Sequence, residues 1–259
     1  ATSTDEFLRA GIVRGRPGTP MSAWGVSRGG PLDDQSVDGL IMLMRSWQDG
    51  EDYDVSDVVV EGKASRGAAQ YAARCAFCHG DQGQGGAYMS IANPEFLASA
   101  SDGFIREAIR SGRSGTPMGG YTETLTEQAI DDIVVLIRSW QAPIDTSDVN
   151  LPSTDLGDPV LNATGPTPVF GEGRYVAASL VAAQLDAGAK MVVIDARPPL
   201  DYVTGHIAGS VSVPFYDVTS FVDQLPNDAQ LVVYCGCPHA ESTAAAEVLE
   251  DNGFVDVKV

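Results

Sequence analysis

Cys75-Ala76-Phe77-Cys78-His79 narrows the folds open to this chain more than any other stretch. Two thiols one helical turn apart share a face, and an imidazole follows directly. This is the attachment signature of a c-type haem. The thiols can reach the two vinyl groups on one edge of the ring and form thioethers. The imidazole is then held under the iron, and the sixth position is filled from elsewhere in the chain. Competing readings are a redox pair and half of a zinc site. A zinc site needs about four ligands, and the other soft ligands, Cys235, Cys237, His206 and His239, all lie far downstream. Ala64, Gly67, Ala68, Tyr71, Ala72 and Cys75 fall at helical spacing, so a helix delivers the motif at its end. Gly67 and Tyr71 on that helix permit a close crossing by the helix that leads to Trp140.

An internal repeat sets the organisation around this motif. Phe7-Leu8-Arg9 through Gly18-Thr19-Pro20-Met21 matches Phe104-Ile105-Arg106 through Gly115-Thr116-Pro117-Met118. Val37, Leu40, Ile41, Met44 and Trp47 then correspond to Ile130, Ile133, Val134, Ile137 and Trp140, one apolar helical stripe per copy. Both copies end Arg-Ser-Trp-Gln. The second copy has Cys-x-x-Cys-His about forty residues before its Gly-Thr-Pro-Met, whereas the first has no room for one. The expectation is that residue 1 lies inside a domain whose haem-binding half is upstream, or else that another chain completes a haemless remnant. A half-domain alone would expose its apolar face.

The net charge of −19 excludes nucleic acid as the main partner and predicts redox partners with basic docking surfaces. The same charge can also serve only to keep the protein in solution. No apolar run approaches the ~18 residues of a membrane span, so no transmembrane segment is expected in this stretch. Haem attachment of this kind happens outside the cytoplasm, which predicts a periplasmic or other extracytoplasmic location, with any membrane association made through missing segments or partners.

Residues 61–141 resemble a class I cytochrome c. The resemblance implies thioethers at Cys75 and Cys78, His79 as proximal ligand and Met118 as distal ligand of haem c. Met89, ten residues past His79, competes with Met118. The Gly-Thr-Pro-Met loop favours Met118, because Gly and Pro shape a turn that frees the next side chain to point inward. By the repeat, Met21 is the axial ligand of a second, inferred haem. Tyr121 and Trp24 follow the two methionine loops at equal distance and are candidates for lining haem edges, or ordinary surface aromatics. Residues 1–48 then read as the C-terminal half of a first cytochrome domain, and the acidic segment 49–60 as a linker.

Residues 142–172, rich in Pro and Asp, read as a second linker that lies along another subunit or floats. From 173 to 259 the pattern is α/β, with a helix over Tyr175–Ala187 and buried strands at 191–195 and 231–234. That alternation implies a parallel sheet with its chemistry beyond the strands' carboxyl ends. Asp195-Ala196-Arg197, Asp201-Tyr202, Gly205-His206-Ile207, Val213-Pro214 and Val232-Val233-Tyr234-Cys235 resemble a rhodanese domain, with a last strand over 255–259 and a C-terminal end that looks incomplete. The resemblance implies Cys235 as a sulfur-accepting, catalytic cysteine. The arginine usual in that loop is absent, and Glu241 puts negative charge where an anion should bind. His239 is a candidate to lower the Cys235 pKa, Cys237 to resolve a persulfide or form a disulfide, and His206 to brace the loop.

The expected architecture is multidomain: all-α cytochrome c domains followed by an α/β rhodanese-like domain with a parallel sheet. The expected function is electron transfer by a dihaem cytochrome within a membrane-associated respiratory or photosynthetic complex. An inactive rhodanese-like domain would serve docking or tethering to other subunits. The alternative is a sulfur-compound oxidoreductase in which Cys235 takes sulfane sulfur and the haem accepts the electrons.

Overall fold

The computed structural model describes residues 2–16, 19, 21–48, 53–144 and 149–259. The chain divides into two compact units. The first holds Ala1–Met21 and Leu32–Ser147, the second Ser22–Pro31 and Asp148–Val259.

The first unit is helical: α1 (Asp5–Arg14), α2 (Asp34–Ser46), α3 (Ala64–Arg74), α4 (Ala76–His79), α5 (Pro94–Ser99), α6 (Asp102–Ser111) and α7 (Glu127–Arg138). Thr4, Asp33, Asn93, Ser101 and Thr126 cap α1, α2, α5, α6 and α7, each accepting a backbone N–H of the first turn. Helix α3 has no such cap. Its Lys63 N–H donates instead to the Asp132 carboxylate of α7 at 2.7 Å, and Arg66 donates to both Asp132 oxygens at 2.7 Å. The two helices cross as closely as the sequence predicts. A Cβ on Gly67 would stand 2.3 Å from the Asp132 carbonyl oxygen. The rings of Tyr71 and Trp140 meet edge-on at 4.9 Å. The core of this unit centres on Tyr71, Leu97, Ile130, Ile133, Val134 and Ile137.

The repeat is built twice in three dimensions. Arg16 N–H donates to Met21 O and Arg113 N–H to Met118 O, both at 2.8 Å. Thr19 and Thr116 each return their hydroxyl to the arginine carbonyl at 2.7 Å. Gly15 and Gly112 precede these loops at φ 66° and 71°. Burial, however, differs between the copies. Val37 and Ile41 of α2 are buried like Ile130 and Val134, but Leu40 is 37% and Trp47 68% exposed where Ile133 is covered and Trp140 packs on Tyr71. The face of α7 that α3 covers has an uncovered counterpart on α2.

The second unit contains a three-stranded parallel sheet in the order β2 (Val211–Ser212), β1 (Met191–Asp195), β3 (Gln230–Tyr234). Strand β1 is buried at every position, as expected of a strand covered on both faces. Val192 and Ile194 face one core, with α10 (Ala240–Asp251) and Phe221. Met191 and Val193 face the other, with Val181 and Leu185 of α8 (Ala178–Asp186). Short helix α9 (Pro199–Thr204) follows β1.

Four expectations need correction. Residues 22–31 belong with the α/β unit and not with the rest of 1–48: Trp24 packs edge-on to Phe215, Ser22 donates to Asp201 at 2.6 Å and Gly29 O accepts from Tyr216. Trp24 is therefore no haem-edge residue of the helical unit. The proline-rich segment is not a free linker over its described residues 149–172. Leu161 pairs antiparallel with Met191, and Leu156 and Val160 pack on the core, because even sparse apolar residues find a sheet edge to cover. Helix α8 starts three residues late, since Val176 N–H is taken by Val259 O, and the final segment contributes one bridge, Val232 to Lys258. Of the acidic linker 49–60, residues 49–52 lie outside the described residues. Val55 is buried with its carbonyl against Gly103.

Candidate functional site

Helix α3 ends at Cys75, and the single turn α4 carries Cys78 and His79. Its two ends are tied by Cys75 N–H to Tyr71 O at 2.8 Å and His79 N–H to Cys75 O at 2.9 Å. Beside this turn lies a cavity of about 380 Å³, reached by Cys75 and His79 from one wall and walled by Ile105 and Ile109 of α6 and Ile133 and Ile137 of α7. Met118 lines it from the loop after α6, and Met89 also reaches it. The His79 ring contacts the Met89 carbonyl through Nδ1 at 2.9 Å. A carbonyl can only accept, so Nδ1 carries the proton and Nε2 keeps the free lone pair a metal needs. The same bond ties the Met89 backbone to the His79 side of the cavity.

Two cations face this apolar space, Arg16 and Arg113, lying over the Phe7 and Phe104 rings at 5.2 and 4.6 Å. Burial pulls both guanidiniums below their ordinary pKa, with Glu95 and Glu107 opposing. Sequence reasoning missed both. The signal was present, since they occupy matching repeat positions. Burial pushes the Cys75 thiol up to about 11, whereas a redox pair needs its attacking thiol pulled down. Tyr121 does not line the cavity, its hydroxyl donating to Arg74 O at 3.3 Å. Met21 is 40% exposed and stands apart from the cavity lining.

The second site lies at the carboxyl ends of β1 and β3, the edge expected for a parallel sheet. Asp195 is fully buried and accepts from Arg197 Nε at 2.9 Å, Arg197 Nη2 at 2.6 Å and Tyr234 OH at 2.6 Å. Arg197 also donates to Gly205 O at 2.6 Å, so the pair braces the loop after α9. The hydrogen bond to Asp195 raises the Arg197 pKa. His206 stacks on Tyr202 at 3.8 Å, with its Nδ1 2.8 Å from Tyr202 O, in a bracing place.

After β3 the chain turns through Cys235-Gly236-Cys237-Pro238-His239 into α10. His239, at φ 64°, turns its ring to Tyr175 at 4.8 Å and is not what tunes Cys235. That part is taken by Ser242, which the sequence reading passed over: its Oγ is 3.2 Å from Cys235 Sγ. Cys237 Sγ lies at 3.3 Å. Burial pushes the Cys235 thiol up, but the hydroxyl and N–H of Ser242, with Cys237, outweigh it and the net shift is down. Cys237 moves up, through burial and its proximity to Cys235 and Glu241. Of the two thiols, Cys235 is shifted towards the thiolate and Cys237 away from it. Burial, then Asp201, raises the Glu241 carboxyl as well. Cys235, Cys237 and Glu241 bring their ligand atoms within 4.8 Å of one another.

A helical unit holding Cys-x-x-Cys-His beside a largely apolar cavity is a c-type cytochrome domain. A parallel sheet with a cysteine loop leading into a helix is the rhodanese arrangement. Residues 62–137 match the family described as "Cytochrome C oxidase, cbb3-type, subunit III", and residues 177–259 the family described as "Rhodanese-like domain". The chain is a fusion of a cbb3-type cytochrome c domain and a rhodanese-like domain, and the first of these implies haem c. Among curated relatives, the thiosulfate sulfurtransferase GlpE of Pseudomonas paraeruginosa is 38% identical over 65 residues, 25% of this chain and 58% of that protein. The chain thus spans less than two thirds of that relative. Among solved structures, the c-type cytochrome KustC0563 shares 28% identity with a TM-score of 0.26, covering 29% of this chain and 98% of that one. A rhodanese-related protein from Thermoplasma volcanium shares 26% identity with a TM-score of 0.29, covering 33% and 81%.

Proposed function

We propose that this chain is an extracytoplasmic electron carrier whose cytochrome domain, taken as 61–141, binds haem c in the α3–α7 cavity. The observation that carries this reading is the composition of the cavity: Cys75 and His79 of the Cys-x-x-Cys-His turn at one wall, Met118 of the methionine loop, two arginines and otherwise apolar surface. In this reading Cys75 and Cys78 form the thioethers, and His79 and Met118 are the axial ligands. Arg16 and Arg113 hold the haem carboxylates, because they are the guanidiniums that reach the cavity. Bound haem supplies one-electron chemistry. The chain attaches it, excludes water from it and raises its potential through the thioether.

The uncovered face of α2 supports a dihaem protein. Leu40, Met44 and Trp47 repeat the positions by which α7 receives the haem-bearing helix α3. We infer that a second helix of that type covers them, with Met21 as axial ligand of its haem. The net charge of −19 supports transient docking on basic redox partners. No helix among the described residues is long and apolar enough to cross a membrane. Association with a respiratory or photosynthetic complex would then run through partner subunits, with the rhodanese-like domain, 173–259, as the tether.

The test is ligand replacement in holoprotein from a host that attaches c-haem. Met118→Ala should abolish the near-infrared methionine–iron absorption and lower the potential, while Met89→Ala leaves both. The reverse result would transfer the ligand role to Met89 and refute the assignment. A second reading, sulfur oxidation at Cys235, is favoured by Ser242 Oγ and Cys237 Sγ lying 3.2 and 3.3 Å from that sulfur. Under it, thiosulfate added without oxygen reduces the oxidised haem; a haem that stays oxidised rejects it.

A further inference from the structure

Cys237 has no part in electron transfer and none in simple sulfur acceptance. Three features of its surroundings nevertheless point to chemistry. Its sulfur is 3.3 Å from Cys235 Sγ, in contact before any ligand arrives. The loop is folded to keep it there: His239 N–H donates to Cys237 O at 2.6 Å with His239 in the left-handed region. Finally, the loop carries the Glu241 carboxyl and no cation of its own, so only the N-terminus of α10 offsets the charge of a persulfide on Cys235.

We propose that Cys235 and Cys237 form a resolving pair that releases sulfane sulfur as hydrogen sulfide and closes a Cys235–Cys237 disulfide. The proposal rests on Cys235 being a sulfur acceptor and is independent of the haem. The Cys235 thiolate attacks the outer sulfur of a sulfane donor such as thiosulfate. The donor's S–S bond breaks and sulfite leaves with the bonding pair, giving Cys235–S–S⁻. Cys237 then passes its proton to the terminal sulfur and attacks Cys235 Sγ. The Cys235–sulfur bond breaks, HS⁻ departs with that pair, and the disulfide forms. Sulfane sulfur gains two electrons and the two thiols lose them. A dithiol reductant reopens the pair. Ser242, whose Oγ lies 3.2 Å from Cys235 Sγ, is placed to donate to the first thiolate. A thiolate or a proton-bearing neighbour at van der Waals contact is what exchange of this kind requires.

The full-length holoprotein, reduced with a dithiol and freed of it without oxygen, is given thiosulfate. Sulfite, sulfide and the state of the cysteine peptide are followed. The expected result is about one sulfite and one sulfide per chain, then arrest with a Cys235–Cys237 disulfide, the stoichiometry of a single exchange. Cys237→Ser should release sulfite but no sulfide and hold a persulfide on Cys235; its sulfite shows that the loop is still folded. Wild-type protein that releases sulfite, keeps its persulfide and forms no disulfide overturns the resolving role while leaving Cys235 an acceptor. Wild-type protein that releases no sulfite from thiosulfate, and takes no sulfur from polysulfide, overturns the acceptor reading and the proposal with it.

Discussion

The crossing of α3 and α7 sets where Cys75 and His79 face the cavity, and Gly67 tests it. Replacing Gly67 with alanine adds a Cβ 2.3 Å from Asp132 O and 2.6 Å from Asp132 C. Both atoms are backbone, so the obstacle cannot rotate away and the helices must separate. Overpacking of this kind costs about 1–3 kcal/mol, and a backbone obstacle argues for the upper end. Alanine recovers about 0.5–1 kcal/mol of helix propensity over glycine. The net expectation is a loss of roughly 1–2 kcal/mol, or about 3–8 °C in Tm for a unit of this size. Gly39 of α2 occupies the repeat position of Asp132 on α7, the residue Gly67 packs against, and has nothing within 4 Å of an added Cβ. In the 259-residue chain by itself, without the covering helix inferred above, Gly39→Ala should therefore be stabilising by about 0.5–1 kcal/mol. The assay is denaturant unfolding of the holoprotein followed at the haem absorbance, with the tertiary transition read separately by near-ultraviolet circular dichroism. A Gly67→Ala variant as stable as the wild type would refute the close crossing. A destabilised Gly39→Ala would instead mean that α2 is covered in the sample.

Two further outcomes follow from electrostatics. The Arg66 hydrogen bonds, opposed by burial, hold the Asp132 carboxyl below its ordinary range. A depressed folded-state pKa stabilises the fold above the unfolded value, near pH 4, and that stabilisation is lost as pH falls through the folded value. Acid unfolding should therefore be shallower at its start in Asp132→Asn, whose stability near pH 7 is lower; identical acid limbs would show that the carboxylate is not coupled to folding. At the other site, Ser242→Ala removes a donor to the Cys235 thiolate. The pH profile of Cys235 alkylation should move to higher pH, with reaction at neutral pH slowed several-fold, and an unmoved profile would remove Ser242 from the site.

Local chemistry was legible in the sequence because it depends on short spacings. Cys75, Cys78 and His79 fall on one turn whatever surrounds them, and the repeat predicted two methionine loops that close with the same hydrogen bonds. The Asp195, Arg197 and Cys235 motifs identified the parallel sheet and the edge that carries its reactive cysteine. The helical stripes also specified which faces of α3 and α7 are apolar.

Which partner each group meets was decided only by the tertiary structure. Residues 22–31 follow a cytochrome-like loop in sequence yet pack with Phe215 and Tyr216, because burial rewards any available apolar surface and is blind to chain order. Arg16 reaches a cavity whose lining, Phe7 apart, comes from residues more than fifty positions away. Ser242, and not His239, sets the charge on Cys235, because one left-handed residue turns the imidazole towards Tyr175. The α2 and α7 stripes are nearly alike in sequence but differ in exposure at Leu40 and Trp47. Periodicity records that a face is apolar; only the fold determines whether another helix lies against it.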